Sequence, residues 1–142
     1  MTAVLKPLAN TVVFAPGGQH RPLYIAWYGR YSDISSSCTL NGTTLHAALD
    51  NVIVAERGPA VRDNDVDLSY FVALTGPDQA ILGKKTFAVH LTVPSGEKRA
   101  AVNDHVEVAF NTGGRPVADL GILVGMQIPP DVVDYFKHYP AR

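Results

Sequence analysis

Residues 66–93, VDLSYFVALTGPDQAILGKKTFAVHLTV, place apolar side chains at every second position on either side of a turn. Val66, Leu68, Tyr70, Val72 and Leu74 share one parity, with Asp67, Ser69 and Thr75 on the other. Successive side chains of an extended chain point to opposite faces, so this period builds a strand with one buried face and does not suit a helix. Phe87, Val89, Leu91 and Val93 repeat the pattern against His90 and Thr92. Between the runs, Gly76-Pro77-Asp78 supplies a proline with preset φ and an aspartate that stabilises a bend. The stretch predicts an antiparallel hairpin.

The same parity recurs along the chain. TVVFA (11–15) is a short strand, and LYIAWYGRYSDI (23–34) a long aromatic one, with Gly29 marking a bulge or a close approach. Residues 44–57 align Leu45, Ala47, Leu49, Ile53 and Ala55. Asn41-Gly42 before them is a type I′ hairpin signal, because both central residues of that turn need φ > 0. Residues 99–111 set Val106, Val108 and Phe110 against His105, Glu107 and Ala109, and residues 118–128 align Leu120, Ile122, Val124, Met126 and Ile128. Turn sequences (APGGQHRP, RGPAVRDND, PSGEK, NTGGRP) separate the runs. About seven strands with almost no helical signal predict an all-β fold, an antiparallel immunoglobulin-like or fibronectin-like β-sandwich. The exception is IPPDVVDYFKHY, with proline at the entry, acids in the first turns and Lys137 and His138 at the end. It predicts a short C-terminal helix over 131–138 that closes one end of the sandwich. One domain spans 8–139, after a flexible N-terminal segment, 1–7.

Composition narrows the function. In 142 residues, 12 Lys and Arg stand against 13 Asp and Glu, which gives no electrostatic pull toward nucleic acid or an anionic membrane. Charged residues make up 18% and hydrophobic residues 46%, a globular composition that can bury a core. No apolar run is long enough for a transmembrane helix, and MTAVLKPLAN lacks the apolar region of a signal peptide. The chain reads either as cytosolic or as a mature form whose leader has been removed. Cys38 is the one cysteine, so neither an intramolecular disulfide nor a Cys-rich zinc site can form.

Candidate chemistry is sparse. Asp63, Asp65 and Asp67 alternate like the oxygen ligands of a calcium loop, but Leu68 and Leu74 stand where an EF-hand needs Gly and Glu, so a solvated, turn-capping loop is the plainer reading. His90 and His105, on strands that could be neighbours, read as outward-facing residues rather than metal ligands. Ser35, Ser36, Ser37 and Cys38 offer nucleophiles without a G-x-S-x-G elbow or a CxxC motif, and Cys38 reads as a small buried hydrophobe. The glycine-rich turns lead into no helix, so neither cradles phosphate. Tyr24, Tyr28 and Arg30 share a strand face and could stack on a sugar or a partner, while Trp27, on the other face, reads as the core anchor of the sandwich.

As a set, Arg57-Gly58-Pro59, Tyr70-Phe71-Val72, Gly76-Pro77, Lys85 before Phe87, Val124-Gly125-Met126-Gln127 and Tyr135 in a terminal helix resemble a family of small bacterial (alphaproteobacterial) cell-envelope lipoproteins of unassigned activity. The resemblance covers about the last two thirds of the chain. It implies an exported all-β domain, periplasmic or attached to the outer membrane, with a lipid anchor in the precursor. Cys38 follows Ile34 and three serines, not an apolar run, and does not match that anchor. A cytoplasmic location stays open beside the envelope one.

These readings converge on a non-catalytic envelope binding or assembly module without a cofactor. It would recognise a protein partner, or a second copy of itself, through loops or a sheet edge. The alternative is a β-sandwich that binds carbohydrate or another small ligand through Tyr24 and Tyr28. An enzyme of unrecognised type ranks last.

Overall fold

A computed structural model describes residues 2–5, 8–17 and 19–139. The predicted sandwich is present. Strands β1 (Thr2–Val4), β2 (Asn10–Phe14), β3 (Ile25–Asn41), β4 (Thr44–Arg57), β5 (Asp65–Thr75), β6 (Ile81–Thr92), β7 (Arg99–Asn111) and β8 (Gly121–Met126) precede one helix, α1 (Pro130–His138). They form two four-stranded sheets, ordered β1-β8-β5-β6 and β2-β3-β4-β7. All pairings are antiparallel except β1 with β8. Immunoglobulin domains share the two-layer architecture, but here β2, β3 and β4 run as a simple meander rather than interleaved as in the immunoglobulin sheets.

The parity read from the sequence is the parity that is buried. Val66, Leu68, Tyr70, Val72 and Leu74 of β5 share one continuous core with Trp27 and Tyr31 of β3 and Leu49 and Ile53 of β4. Hiding such side chains from water is the main term holding the sheets together, at about 1.5–3 kcal/mol for each large one. Trp27 is buried, with the Arg57 guanidinium 5.5 Å above its ring. Gly29 lies in the inner row of β3, where a Cβ would come within 2.9 Å of Thr11 and 3.0 Å of Leu68, so it serves close approach. The register irregularities of β3 lie on either side of it, at Ala26 against β2 and between Tyr31 and Asp33 against β4.

Several expectations need correction. Thr2–Val4, assigned to a loose amino end, form β1 and pair with Ile122, Leu123 and Val124; residues 1, 6 and 7 of that segment, and Gly18 of the APGGQHRP turn, lie outside the described residues. The β3–β4 turn centres on Gly42-Thr43, not Asn41-Gly42, because Asn41 pairs with Thr44. Only Gly42 has positive φ (62°), the type II′ pattern; a β-branched threonine resists the left-handed region that a I′ turn requires. In the β5–β6 turn the left-handed residues are Asp78 and Gln79. The helix does not cap the end of the sandwich. Its Tyr135 meets Phe14 edge-on at 5.1 Å, and with Phe136 it lies over the outer face of β2 and β3, beside Val12 and Tyr28. Val12 and Phe14 carry apolar surface on that outer face, which is what the amphipathic helix covers.

Candidate functional site

β3 is 17 residues long, while its neighbour β2 has 5. β2 pairs only with Ile25–Arg30, and the Tyr31 N–H donates to the Ala9 carbonyl at 2.8 Å. Beyond that bond, residues 32–41 continue as an arm paired with β4 on one side and, among the described residues, with no strand on the other.

The register identifies which backbone groups are free. The Arg57 N–H donates to the Lys98 carbonyl, and the Thr43 carbonyl accepts from Thr112, so odd-numbered residues of β4 direct their backbone groups toward β7. The β4–β7 register runs without a shift, so even-numbered residues of β4 point to β3. Their partners are Asn41, Thr39, Ser37 and Ser35. The alternate residues Ile34, Ser36, Cys38 and Leu40 therefore direct their N–H and C=O groups to the open side, where the Ile34 N–H donates to Asp33 Oδ1 at 2.9 Å. The arm reads ISSSCTL over 34–40 and carries no charge. Cys38 is exposed, which overturns its reading as a buried hydrophobe: its parity is inward, but β3 there extends past the strands that would cover it. From the facing sheet, the Thr2 hydroxyl meets the Ser36 hydroxyl at 2.8 Å, a contact between side chains.

The aromatic row predicted as a ligand platform is divided. Tyr24 belongs to a 3-10 turn, Pro22–Tyr24, ahead of β3 and is 41% exposed. Tyr28 is half-buried near α1 and lines, with Arg30, Val12, Glu56, Tyr135 and Phe136, a cavity of about 220 Å³. Burial raises the Tyr135 phenol above its ordinary value, with Tyr28 and Tyr139 adding to the shift.

The acidic triplet Asp63, Asp65 and Asp67 lines, with His90, one cavity of about 470 Å³, but its members are held differently. Asp65 and Asp67 lie on the exposed face of β5, where His90 of β6 bridges them: Nδ1 is 2.7 Å from Asp67 and Nε2 3.1 Å from Asp65. The Thr92 hydroxyl donates to Asp65 at 2.6 Å. The bonds from Thr92 and His90 lower the Asp65 carboxyl; those to Asp67 and then Asp65 raise the His90 imidazole. Asp63 sits in the preceding loop, its carbonyl accepting from Arg57. Among the described residues, no group of three or more His, Cys, Asp or Glu side chains is arranged to hold a metal. His90 and His105 occupy strands of different sheets, the latter 3.0 Å from Asp50.

One buried constellation escaped the sequence reading. Asn51 is fully buried in the inner row of β4. Its Oδ1 accepts from the Tyr31 hydroxyl, and its Nδ2 donates to the Asp104 carbonyl at 2.8 Å and, weakly, to the Tyr70 hydroxyl at 3.4 Å. Tyr70 donates in turn to the Asp104 carboxylate at 2.5 Å. Burial raises both phenols, with Asp33 adding to the effect at Tyr31 and the Asp104 hydrogen bond at Tyr70. Such phenols stay protonated and act as donors, so the network ties three strands of one sheet to β5 of the other. None of the four residues lines the cavity near α1 or that of about 470 Å³ beside Phe14, Trp27 and Arg62. The signal was available: Asn51 breaks the apolar row from Leu45 to Ala55, and Asp104 breaks the row of Val102 and Val106.

No protein-family model, no curated protein and no solved structure matches the chain.

Proposed function

We propose that this protein is a non-catalytic binding or assembly module that takes an extended segment of a protein partner onto the free edge of β3. The observation that carries the reading is the arm itself: Ser36, Cys38 and Leu40, with the Ile34 carbonyl, offer a ladder of backbone groups to the open side, uncharged from 34 to 40, while the Ile34 N–H donates to the Asp33 carboxylate at the end of the ladder. An added strand satisfies such a ladder with main-chain hydrogen bonds, and alternate side chains set its specificity. An unused edge of this kind also invites aggregation, so a chain that keeps one without charge or proline has a use for it. The Arg57-Gly58-Pro59 to Tyr135 motif set extends the reading to the bacterial cell envelope, with a lipid anchor in the precursor.

A photo-activatable group attached to Cys38, the only thiol, tests this reading. Irradiated in cell extract, it captures partner peptides in extended register with residues 34–40, and Ser36→Pro abolishes the capture while leaving the fold intact, because the Ser36 N–H makes no bond within the sheet. Capture unchanged by Ser36→Pro contradicts the reading.

The cavity lined by Tyr28 and Arg30 is the basis of a second, ligand-binding reading. Its volume of about 220 Å³ is below the roughly 300–1,000 Å³ of ordinary ligand pockets, and Tyr24 stands outside it. That reading requires Tyr28→Ala to abolish binding of a small sugar while Tm stays within a few degrees; retained binding removes it.

A further inference from the structure

We infer that the strand that pairs with the β3 arm is the β3 arm of a second copy, antiparallel about a two-fold axis through Ser37. The inference rests on the edge reading above and names its partner. The outward backbone groups belong to residues 34, 36, 38 and 40, which are symmetric about Ser37, and of these, among the described residues, only the Ile34 N–H has a partner, the Asp33 carboxylate at 2.9 Å. A two-fold there sets Ile34 opposite Leu40 of the second copy and Ser36 opposite Cys38; the N–H and C=O groups of Ser36 and Cys38, the Leu40 N–H and the Ile34 C=O find partners, and the Leu40 C=O takes the Ile34 N–H in exchange for the Asp33 carboxylate. The side chains match in the same register: Ile34 covers Leu40, which is otherwise 42% exposed, and Ser37 meets Ser37. No like charges oppose one another, because Asp33, the nearest acid, falls opposite Asn41. A second copy supplies the complement to the arm without any further sequence being specified. The pairing joins the two β2-β3-β4-β7 sheets into one continuous sheet. Because the contact is confined to one strand from each copy, the dimer dissociates on dilution.

Self-crosslinking tests the axis. In a Cys38→Ser background, Ser35→Cys, Ser37→Cys and Thr39→Cys are made singly, each at an exposed position. Residues at 37 face each other across the axis at about 4.5 Å between Cα atoms, within disulfide range. Residues at 35 face those at 39. Mild oxidation therefore links S37C with itself. S35C and T39C each form at least tenfold less dimer alone, and equal mixing of those two restores it. A product from S37C no more abundant than from S35C alone overturns the inference, as does a dimer by sedimentation that links in none of these combinations. If S37C fails to link while Ser36→Pro still abolishes capture through Cys38, only the second-copy assignment falls. If Ser36→Pro is also without effect, the edge reading falls with it.

Discussion

The sandwich has two margins, and they are finished differently. At one, edge strands β6 and β7 meet. Lys85 of β6 has its ammonium 5.7 Å over the Phe110 ring of β7, and the Asp104 carboxylate of β7 reaches in to Tyr70. Arg57 fastens the connection between the two strands: its guanidinium donates to the carbonyls of Val93 and Glu97 at 2.9 and 2.8 Å and to Asn64 Oδ1 at 2.6 Å. A strand added there would bury charges away from water, which is how natural sheets refuse edge pairing. At the other margin, β3 runs past β2 with serines, a threonine and a cysteine and no charge from 34 to 40. The contrast teaches that two edges open in hydrogen-bonding terms differ in side-chain charge, which on the proposed reading decides which one admits a partner.

The contrast can be broken most severely from the closed side. Asn51→Ala removes the acceptor of Tyr31 and a donor to Tyr70 in a dry core, and should cost about 2–4 kcal/mol, lowering Tm by roughly 10 °C. A calorimetric loss under about 1 kcal/mol would mean that the network does not hold the sheets. Arg57→Lys keeps the charge but loses the planar fork that reaches several carbonyls at once, and should cost about 1–3 kcal/mol in denaturant unfolding, with hydrogen exchange rising first at 93–98. Ser37→Lys, on the open side, should change unfolding by less than about 0.5 kcal/mol, yet place like charges across the proposed axis and remove self-association in sedimentation.

The smallest effect concerns pH. The His90 imidazole is raised above its ordinary value near 6.5, so its contribution to stability is full below that pH and is lost as pH rises through the folded value. Asp65 is lowered below 3.8, so its contribution is present above that pH and is lost as pH falls through the folded value. The pair therefore contributes fully between those limits. In Asp67→Asn, the NMR titration midpoint of His90 should move down toward 6.5, and unfolding curves of variant and parent should differ at pH 5–6 and converge at pH 9. An unmoved midpoint would show that Asp67 does not hold the proton.

Much of the frame was legible because parity is a local property. Rows such as Val66 to Leu74 and Leu120 to Ile128 could be read directly, and the Gly-Pro-Asp turn located the hairpin. The β3 arm was not legible past Ile34, because serine has little strand preference and Ser35–Thr39 show no apolar alternation. What makes them strand is pairing with Thr39↔His46 to Ser35↔Asp50, set by a turn one residue later than expected. Burial of Tyr28 depended on where α1 would lie, which no local pattern encodes. Asn51 and Asp104 were visible as interruptions of apolar rows, but their mutual contact is a property of register.

Residue-resolved amide exchange of the protein at high dilution tests most directly whether the β3 arm is a formed but unpaired edge. The N–H groups of Ser35, Ser37, Thr39 and Asn41 should be protected, and those of Ser36, Cys38 and Leu40 should exchange at near-open rates, becoming protected as concentration rises. Uniform protection at high dilution would mean that the edge is already covered within the chain, and uniform fast exchange would mean that no strand exists there to be paired.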